Sequence, residues 1–227
     1  MNPLDRPVWS ALSGRQSHFA RGNGAALAFK TDVEPFAAAQ TDRAEAVDDL
    51  AALAVAGDIL VLIQSKPSPI PSGLDQIEQM AGVQMIATSP IESRPLADVE
   101  LLTNGDIPQM IELAELTKPG PFRAETNKLG QFWGIKRDGR LVAMAGERLK
   151  IPRMSEVSGV CTHPDWQGHG FGAGLSTFVA SRIRARGEVP FLHAFADNLS
   201  AIRLYEKLGF TLRSRMTVQV FALPGSD

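Results

Sequence analysis

Short apolar segments of strand length recur through the first half of the chain. Residues 25–29, 59–63 and 83–86 are rich in apolar side chains, and each segment predicts a β-strand. Between them, apolar residues at helical spacing predict a helix over residues 42–56 that Gly57 ends, and a shorter helix is predicted over 8–12. Acids, bases and glycines are scattered here. The first half is therefore expected to be a small α/β unit without a recognisable chemical motif.

The second half has a more regular pattern. A strand over residues 99–103 precedes a helix that Asn104 or Asp106 caps and that carries Pro108 in its first turn. Asp138-Gly139 separates two strand-like runs and predicts a hairpin with a type I′ turn. Strands and helices then alternate over residues 156–162, 171–186, 191–196, 199–208 and 210–223. This order predicts an α/β fold with a mixed sheet, since hairpins join antiparallel strands and helical crossovers join parallel ones.

Two prolines divide the chain into its predicted units. Pro90 and Pro95 lie in a stretch, residues 88–95, that has little periodicity and is typical of a linker. We therefore expect one domain over residues 1–90 and a second over residues 98–227. A chain of 227 residues is long enough for one large or two small domains.

The composition limits which binding partners and which cellular compartment are expected for this chain. With 23 Lys and Arg against 25 Asp and Glu, the chain has no general affinity for nucleic acid or an anionic membrane. The single cysteine, Cys161, cannot form an internal disulfide or a cysteine-based zinc site, which favours a reducing compartment. The start, MNPLDRPVWS, lacks the order of a signal peptide. These features predict a soluble, cytoplasmic protein without a metal, and they leave a homodimer open.

A glycine-rich turn between a strand and a helix is the most informative segment. Residues 162–174 read THPDWQGHGFGAG, with four alternating glycines where the helix begins. A helix N-terminus presents unpaired backbone N–H groups and positive potential, and glycines let a bulky anion approach them. The segment therefore predicts a pyrophosphate-binding turn.

Two other phosphate-binding motifs fit this sequence less well. A P-loop needs Lys-Ser or Lys-Thr after its last glycine, and this chain has neither. A dinucleotide fingerprint does match residues 168–173, and Asp197 could bind a ribose. However, a polar stretch separates the strand from the first glycine, and three strands precede the motif. Dinucleotide binding is therefore the less favoured alternative.

A second motif follows in the next predicted helix. The sequence N-x-x-A-x-x-x-Y-x-x-x-G-F begins at Asn198, which can cap that helix. Together with Q-x-x-G-x-G beginning at Gln167, it resembles the GNAT superfamily of N-acetyltransferases. The segment EVSGVCTHP, beginning at Glu156, further resembles the glycine N-acyltransferase-like branch. In that branch a degenerate N-terminal half precedes the acyl-CoA-binding half. The resemblance covers residues 98–222 well and implies a GNAT-type fold there.

The resemblance also implies which residues bind acetyl-CoA. Main-chain groups of the strand would run along the pantetheine arm, as in β-augmentation, at Val160, Cys161 and Thr162. Asn198 and Ala201 would hold the arm from the other side, with Tyr205 facing the thioester sulfur. The pyrophosphate would be wrapped by the glycine-rich turn, which consists of Gln167, Gly168, His169, Gly170, Phe171 and Gly172.

Amide formation from a thioester requires an acid and a base. Tyr205, the only tyrosine, could protonate the leaving thiolate. Glu156 is the first candidate for the base, followed by Glu147 and then His193. Strict alternation would place Glu156 on the same strand face as Val160 and Thr162. Cys161 is a weak candidate for an acyl-enzyme nucleophile, since no His–Asp pairing accompanies it.

These observations predict an N-acyltransferase that uses acetyl-CoA or a related acyl-CoA. The acceptor would be a small molecule or another amino group that attacks the thioester directly, with a backbone N–H near residues 160–162 as oxyanion donor. A non-catalytic acyl-CoA-binding regulator and, less favoured, a dinucleotide-dependent oxidoreductase are the alternatives.

Overall fold

The computed structural model describes residues 2–22, 24–91 and 96–225. The α-helices in these ranges are α1 (Pro7–Leu12), α2 (Ala44–Asp48), α3 (Ile107–Thr117), α4 (Phe171–Ala185) and α5 (Leu199–Lys207). The strands are β1 (Ala20–Arg21), β2 (Ala26–Phe29), β3 (Ala37–Ala39), β4 (Leu60–Gln64), β5 (Asp75–Ile86), β6 (Val99–Leu101), β7 (Phe132–Arg137), β8 (Arg140–Ile151), β9 (Met154–Thr162), β10 (Val189–Phe195) and β11 (Thr211–Ala222).

One mixed sheet of eight strands organises the molecule. Its order is β4-β11-β5-β10-β9-β8-β7-β6, and a separate three-stranded sheet has the order β1-β2-β3. In the large sheet β9 and β10 are parallel, and the other paired neighbours are antiparallel. The predicted α/β fold with a mixed sheet is confirmed.

The two sequence halves share this sheet. From the first half, β5 lies between β10 and β11, and β4 pairs with the outer edge of β11. The predicted boundary between residues 1–90 and 98–227 thus lies between strands of one sheet. That these ranges are two separate domains stays a prediction. Residues 92–95 of the predicted linker lie outside the described residues.

Local predictions succeed where backbone chemistry is decisive. Asp138 (φ 49°) and Gly139 (φ 76°) form the turn of the predicted hairpin, and β7 and β8 pair on either side of it. The helix predicted over residues 42–56 is wrong, because α2 has only five residues and a 3-10 turn follows. The carboxylates of Asp48 and Asp49 accept hydrogen bonds from the backbone N–H groups of Ser72 and Ala25. These tertiary contacts compete with continuation of the helix.

The sheet has two covered faces. On the α4 face, α4 and α5 pack over a core that includes Val83, Val157 and Leu192. The opposite face, here called the α3 face, is covered by α1, α3 and the connections of the first half. Alternation along β10 sends Leu192 to the α4 face and Phe191 to the α3 face. A ligand bound between two separated strands would therefore contact both the α4 face and the α3 face.

A fragment limited to residues 98–227 tests how far the halves depend on each other. It would lack β4 and β5, and these are the only strands that pair with β11 among the described residues. We expect the fragment to be unfolded or aggregated, because a lone strand cannot satisfy its backbone or bury its apolar face. The intact chain should unfold in one cooperative transition. Circular dichroism and amide NMR spectra of both chains check this, and a well-dispersed spectrum from the fragment would contradict it.

Candidate active site

The parallel strands β9 and β10 separate after three residue pairs. Met154, Ser155 and Glu156 pair with residues 189–191, and no pairing follows, although β9 continues to Thr162 and β10 to Phe195. On its other side β9 stays paired with β8 to its end. The β9 edge over residues 157–162 therefore faces a gap in the sheet, where an extended chain can add by main-chain hydrogen bonds.

A β-bulge at Gly159 sets which way the residues of β9 point. Cys161 pairs with Met144 and Ser158 with Gly146, so three steps on β9 match two on β8, and Gly159 has φ 62°. Glu156 consequently faces the α3 side, whereas Val160 packs on the α4 face. The expectation that strict alternation places Glu156 and Val160 on one face is wrong, because the bulge inserts one residue between them.

The glycine-rich turn lies where α4 begins, beside the wide end of the gap. Gly170 is the N-cap residue with φ 78°, and no side chain caps the helix. Among the described residues, the backbone N–H groups of residues 168–173 have no intramolecular partner, and the first helical bond joins Gly174 N–H to the Gly170 carbonyl. A Cβ at Gly168 or Gly170 would meet nothing within 4 Å. Unpaired donors, open space and the helix dipole suit a diphosphate.

The side chains of this turn support its shape. The His169 ring nitrogen Nδ1 is hydrogen-bonded to the carbonyls of Trp166 and Gln167, at 3.1 and 3.0 Å. Phe171 is buried in the core under α4. Gly172 lies against Thr162 and Val160, so the turn contacts the end of β9 directly.

Tyr205 lies on the α4 face among core residues. Its side chain is buried, and its hydroxyl has no hydrogen-bond partner within the described ranges. Burial raises the pKa of Tyr205 to about 12, and Cys161 is close enough to add to the shift, so the phenol keeps its proton at neutral pH. Asn198 caps α5 by accepting a hydrogen bond from Ala201 N–H at 3.0 Å, as predicted. Tyr205 is thus a protonated phenol on a fixed helix.

Cys161 has the properties of a structural thiol. It is buried against α3, and burial raises the pKa of its thiol to about 12. The nucleophile is the thiolate, which this environment disfavours.

Glu156 is buried in a network of ionic hydrogen bonds. Arg148 donates from Nε and Nη2 to its two carboxylate oxygens, at 3.1 and 3.0 Å, and Leu149 N–H donates at 3.2 Å. His193 Nδ1 lies 2.8 Å from Oε1. Burial alone would raise the pKa of Glu156, but Arg148 and His193 hold it well below its usual range. Because all of these groups bind it, the Glu156 carboxylate is suited to fixing the orientation of Arg148 and His193.

His193 connects this network to the first half of the chain. Its Nε2 lies 2.9 Å from the Gln84 side-chain nitrogen, and the Gln84 oxygen accepts a hydrogen bond from Arg213. Gln84 therefore turns its N–H group toward the ring, so that His193 accepts at Nε2 and donates from Nδ1 to Glu156.

Glu147 is held elsewhere. Its carboxylate accepts a hydrogen bond from Arg186, at the end of α4 that is farther from the glycine-rich turn, at 2.8 Å, and it lies 3.5 Å from Lys150 Nζ. The structure does not bring it to the residues around Glu156, and its role as a base stays a prediction.

A cavity of about 250 Å³ opens on the α3 face beside the gap. Its walls are mostly apolar side chains from both halves, among them Phe36, Met80 and Met216. Arg148 and His193 also line it, and the exposed Glu78 lies at its rim. The first-half residues in this cavity could not be named from the sequence, because they lie far apart along the chain and form no motif.

Glu34, which lies near Arg148, was also not predicted from the sequence as part of the site. It is buried, and within the described ranges neither carboxylate oxygen meets the geometry of a hydrogen bond. Burial raises the pKa of Glu34 to about 8, and the positive charge of Arg148 limits the shift. The signal in the sequence is an acid between Val33 and the apolar pair Pro35-Phe36.

Comparison with known proteins agrees with this geometry. A family model described as FR47-like protein matches residues 132–220. The structure superposes on a crystal structure of a GNAT-family protein from Novosphingobium aromaticivorans with a TM-score of 0.92. The two are 42% identical, over 98% of this chain and 99% of the other. This chain belongs to the GNAT family of acetyltransferases.

Two more distant relatives of this GNAT chain differ in how much of it they cover. Mycothiol acetyltransferase from Streptomyces coelicolor is 33% identical over 81 residues, which are 35% of this chain and 26% of the relative. The chain thus spans about a quarter of the length of that relative. A GCN5-related N-acetyltransferase from Kribbella flavida, 18% identical, covers 99% of this chain and 97% of its own with a TM-score of 0.65, which shows a shared fold.

Two further findings concern the surroundings of the GNAT fold. Within the ranges that the structure describes, no helix has the length and apolar character needed to cross a bilayer. The same ranges contain no group of three or more His, Cys, Asp or Glu residues that could hold a metal ion.

Glu34→Gln is expected to change how stability depends on pH. The pKa of Glu34 is raised from 4.5 to about 8 on folding, so the folded chain keeps a proton that the unfolded chain has lost, and stability falls as pH rises across this window. Glutamine cannot ionise. The variant should therefore gain on the wild type between about pH 4.5 and 8, by up to about 1.4 kcal/mol per pH unit.

Urea unfolding at a series of pH values measures this difference. Glu45→Gln, at an exposed carboxyl group in α2, is the control. Wild-type and Glu34→Gln stabilities that stay parallel across the window would contradict the assignment.

Proposed function

We propose that this GNAT-family chain is an N-acyltransferase that transfers an acetyl or related acyl group from acetyl-CoA to an amine. GNAT acetyltransferases use acetyl-CoA as co-substrate. One observation carries the proposal: the gap between β9 and β10 has an unpaired strand edge, the uncapped glycine-rich turn at its wide end and a protonated phenol beside it.

Each part of the site would bind a different part of acetyl-CoA. The free N–H groups of residues 168–173, with Gln167 beside them, would hold the diphosphate. Main-chain groups of Val160, Cys161 and Thr162 would bind the pantetheine arm along the open edge of β9. Asn198 and Ala201, at the start of α5, would border the arm on the β10 side.

The two faces of the sheet would supply the two proton transfers. The acceptor nitrogen attacks the thioester carbonyl, the carbon–sulfur bond breaks, and Tyr205 on the α4 face gives its proton to the departing thiolate. The acceptor loses one proton to solvent in the cavity on the α3 face, because His193 Nε2 already accepts a hydrogen bond from Gln84. Glu156 would act as a positioning residue, because it fixes the His193 tautomer and holds the Arg148 guanidinium beside the cavity.

Other expectations differ in their support. The relatives named above favour an acyltransferase over a dinucleotide-dependent oxidoreductase or a non-catalytic regulator. Assignment to the glycine N-acyltransferase-like branch depends only on the sequence of residues 156–164 and on the presence of two halves. The relatives named above do not support it. A cytoplasmic location and a homodimer also stay predictions.

Tyr205→Phe tests the chemical step. Phenylalanine keeps the packing against Phe210 but has no proton to give, so kcat should fall at least tenfold. The dissociation constant for acetyl-CoA should change less than threefold. Release of free CoA with a panel of amines measures turnover, and calorimetry measures binding. Unchanged turnover with a good acceptor would remove Tyr205 from the mechanism.

Gly170→Ala tests the diphosphate site. A methyl group there would project into the open space above the free N–H groups, so the dissociation constant for CoA should rise at least tenfold. Gly187→Ala is the matched control, because Gly187 follows the other end of α4 with φ 76° and equally open surroundings. Both variants carry the same backbone strain. Equal losses of CoA affinity would point to strain alone.

A further inference from the structure

The cavity on the α3 face meets the gap at its narrow end. Glu156 is the last residue of β9 that pairs with β10, and both of its side-chain partners, Arg148 and His193, line the cavity. If acetyl-CoA lies in the gap as proposed, an acceptor in the cavity reaches the thioester beside these two residues. The inference below therefore rests on the proposed function.

Arg148 presents an unused donor there. Nε and Nη2 bind Glu156, whereas Nη1 has no hydrogen-bond partner among the described residues. The guanidinium is stacked over Phe36, with 4.7 Å from its carbon to the ring centroid, and this fixes its orientation. Gly120, with φ 127°, lies next to Nη1, and a Cβ there would be in ordinary van der Waals contact with Nη1 at 3.7 Å. The missing side chain leaves room beside Nη1 for an acceptor atom.

The charges around Nη1 favour a neutral acceptor atom. Glu156 neutralises the Arg148 charge within hydrogen-bond distance, and Glu78 at the rim is a further carboxylate. A ligand carboxylate would meet this negative surplus, whereas an amide carbonyl oxygen gains a charge-assisted hydrogen bond without it.

The remaining wall is apolar and small. Gly82 forms part of the cavity wall between Phe195 and Met216, its partners on the two neighbouring strands. A volume of about 250 Å³ is below the usual range for a drug-sized ligand, and it suits one aliphatic or aromatic side chain.

We propose that the acceptor is an α-amino amide with an apolar side chain, either a free amino acid amide or the N-terminus of a peptide. Its carbonyl oxygen accepts a hydrogen bond from Arg148 Nη1, its side chain fills the cavity between Gly82 and Phe36, and its α-amino group faces the gap. Arg148 is then a specificity-determining residue, and Glu156 holds it in place.

A matched panel of acceptors tests this on the unaltered protein. Leucinamide, leucine and 3-methylbutylamine share one side chain and differ in carrying an amide, a carboxylate or neither. An α-amino group beside an amide is less basic than an alkylamine, so kcat/KM is calculated for the neutral form of each amine. On that scale we expect kcat/KM for leucinamide to exceed that for each of the others at least tenfold. A short peptide with N-terminal leucine separates the two sources of the amide. A preference for leucine, or equal use of 3-methylbutylamine, overturns the proposal.

Two variants test the residues. Arg148→Lys keeps a positive charge for Glu156 but has no Nη1, so the preference for leucinamide over 3-methylbutylamine should fall to less than threefold. Gly82→Val fills the wall with a residue that strands favour, so KM for leucinamide should rise at least tenfold while KM for glycinamide stays within threefold. If Gly82→Val affects all acceptors equally, the cavity does not hold the side chain. If Arg148→Lys affects all acceptors equally, Nη1 does not bind the carbonyl oxygen.

Failure of this inference is distinguishable from failure of the proposed function. Calorimetric titration of leucinamide into the protein with CoA present reports acceptor binding without turnover. Transfer to amines that lack a carbonyl, with no binding of leucinamide, would overturn the inference and leave the acyltransferase intact. Absence of CoA binding and of any acyl transfer would instead overturn the proposed function.

Discussion

Beyond Glu156, β9 and β10 separate, and the candidate site is arranged around that separation. Paired strands would close the sheet and leave no route between its faces. The unpaired stretch instead gives an edge for main-chain hydrogen bonds, with the glycine-rich turn at its wide end and the Glu156 network at its narrow end. The bulge at Gly159 turns Val160 toward α4 and leaves Glu156 facing the cavity. One local change in strand pairing thus divides the coenzyme side from the acceptor side.

The Glu156–Arg148 pair is costly to bury, and its geometry offsets that cost. Removing two ions from water is repaid only when the hydrogen bonds are complete, and Glu156 has partners in Arg148, Leu149 and His193. Such a network contributes more to orientation than to stability. It fixes the His193 tautomer, and it keeps one edge of the guanidinium toward the cavity.

The first half of the chain takes part in the site through packing. β5 separates β10 from β11 in the sheet and brings Gln84 to His193, while the loop between β2 and β3 places Glu34 and Phe36 near Arg148. The family match covers residues 132–220, whereas the cavity draws much of its wall from earlier residues. A part of this chain outside the family match therefore contributes to the candidate acceptor site.

The sequence by itself determined the features that depend on backbone chemistry over a few residues. These are the Asp138-Gly139 hairpin, the capped α5 helix and the uncapped glycine turn, since positive φ angles and helix caps require particular residue types. Tertiary structure alone decided that β5 lies between β10 and β11 and that the bulge at Gly159 reverses which sheet face the following residues point to. It also brought Glu34, Arg148 and His193 close together. The reason is that strand neighbours and buried charges depend on contacts between distant residues, and single-sequence periodicity does not contain these. The shorter α2 follows the same rule, because hydrogen bonds from distant backbone groups outweighed its helical pattern.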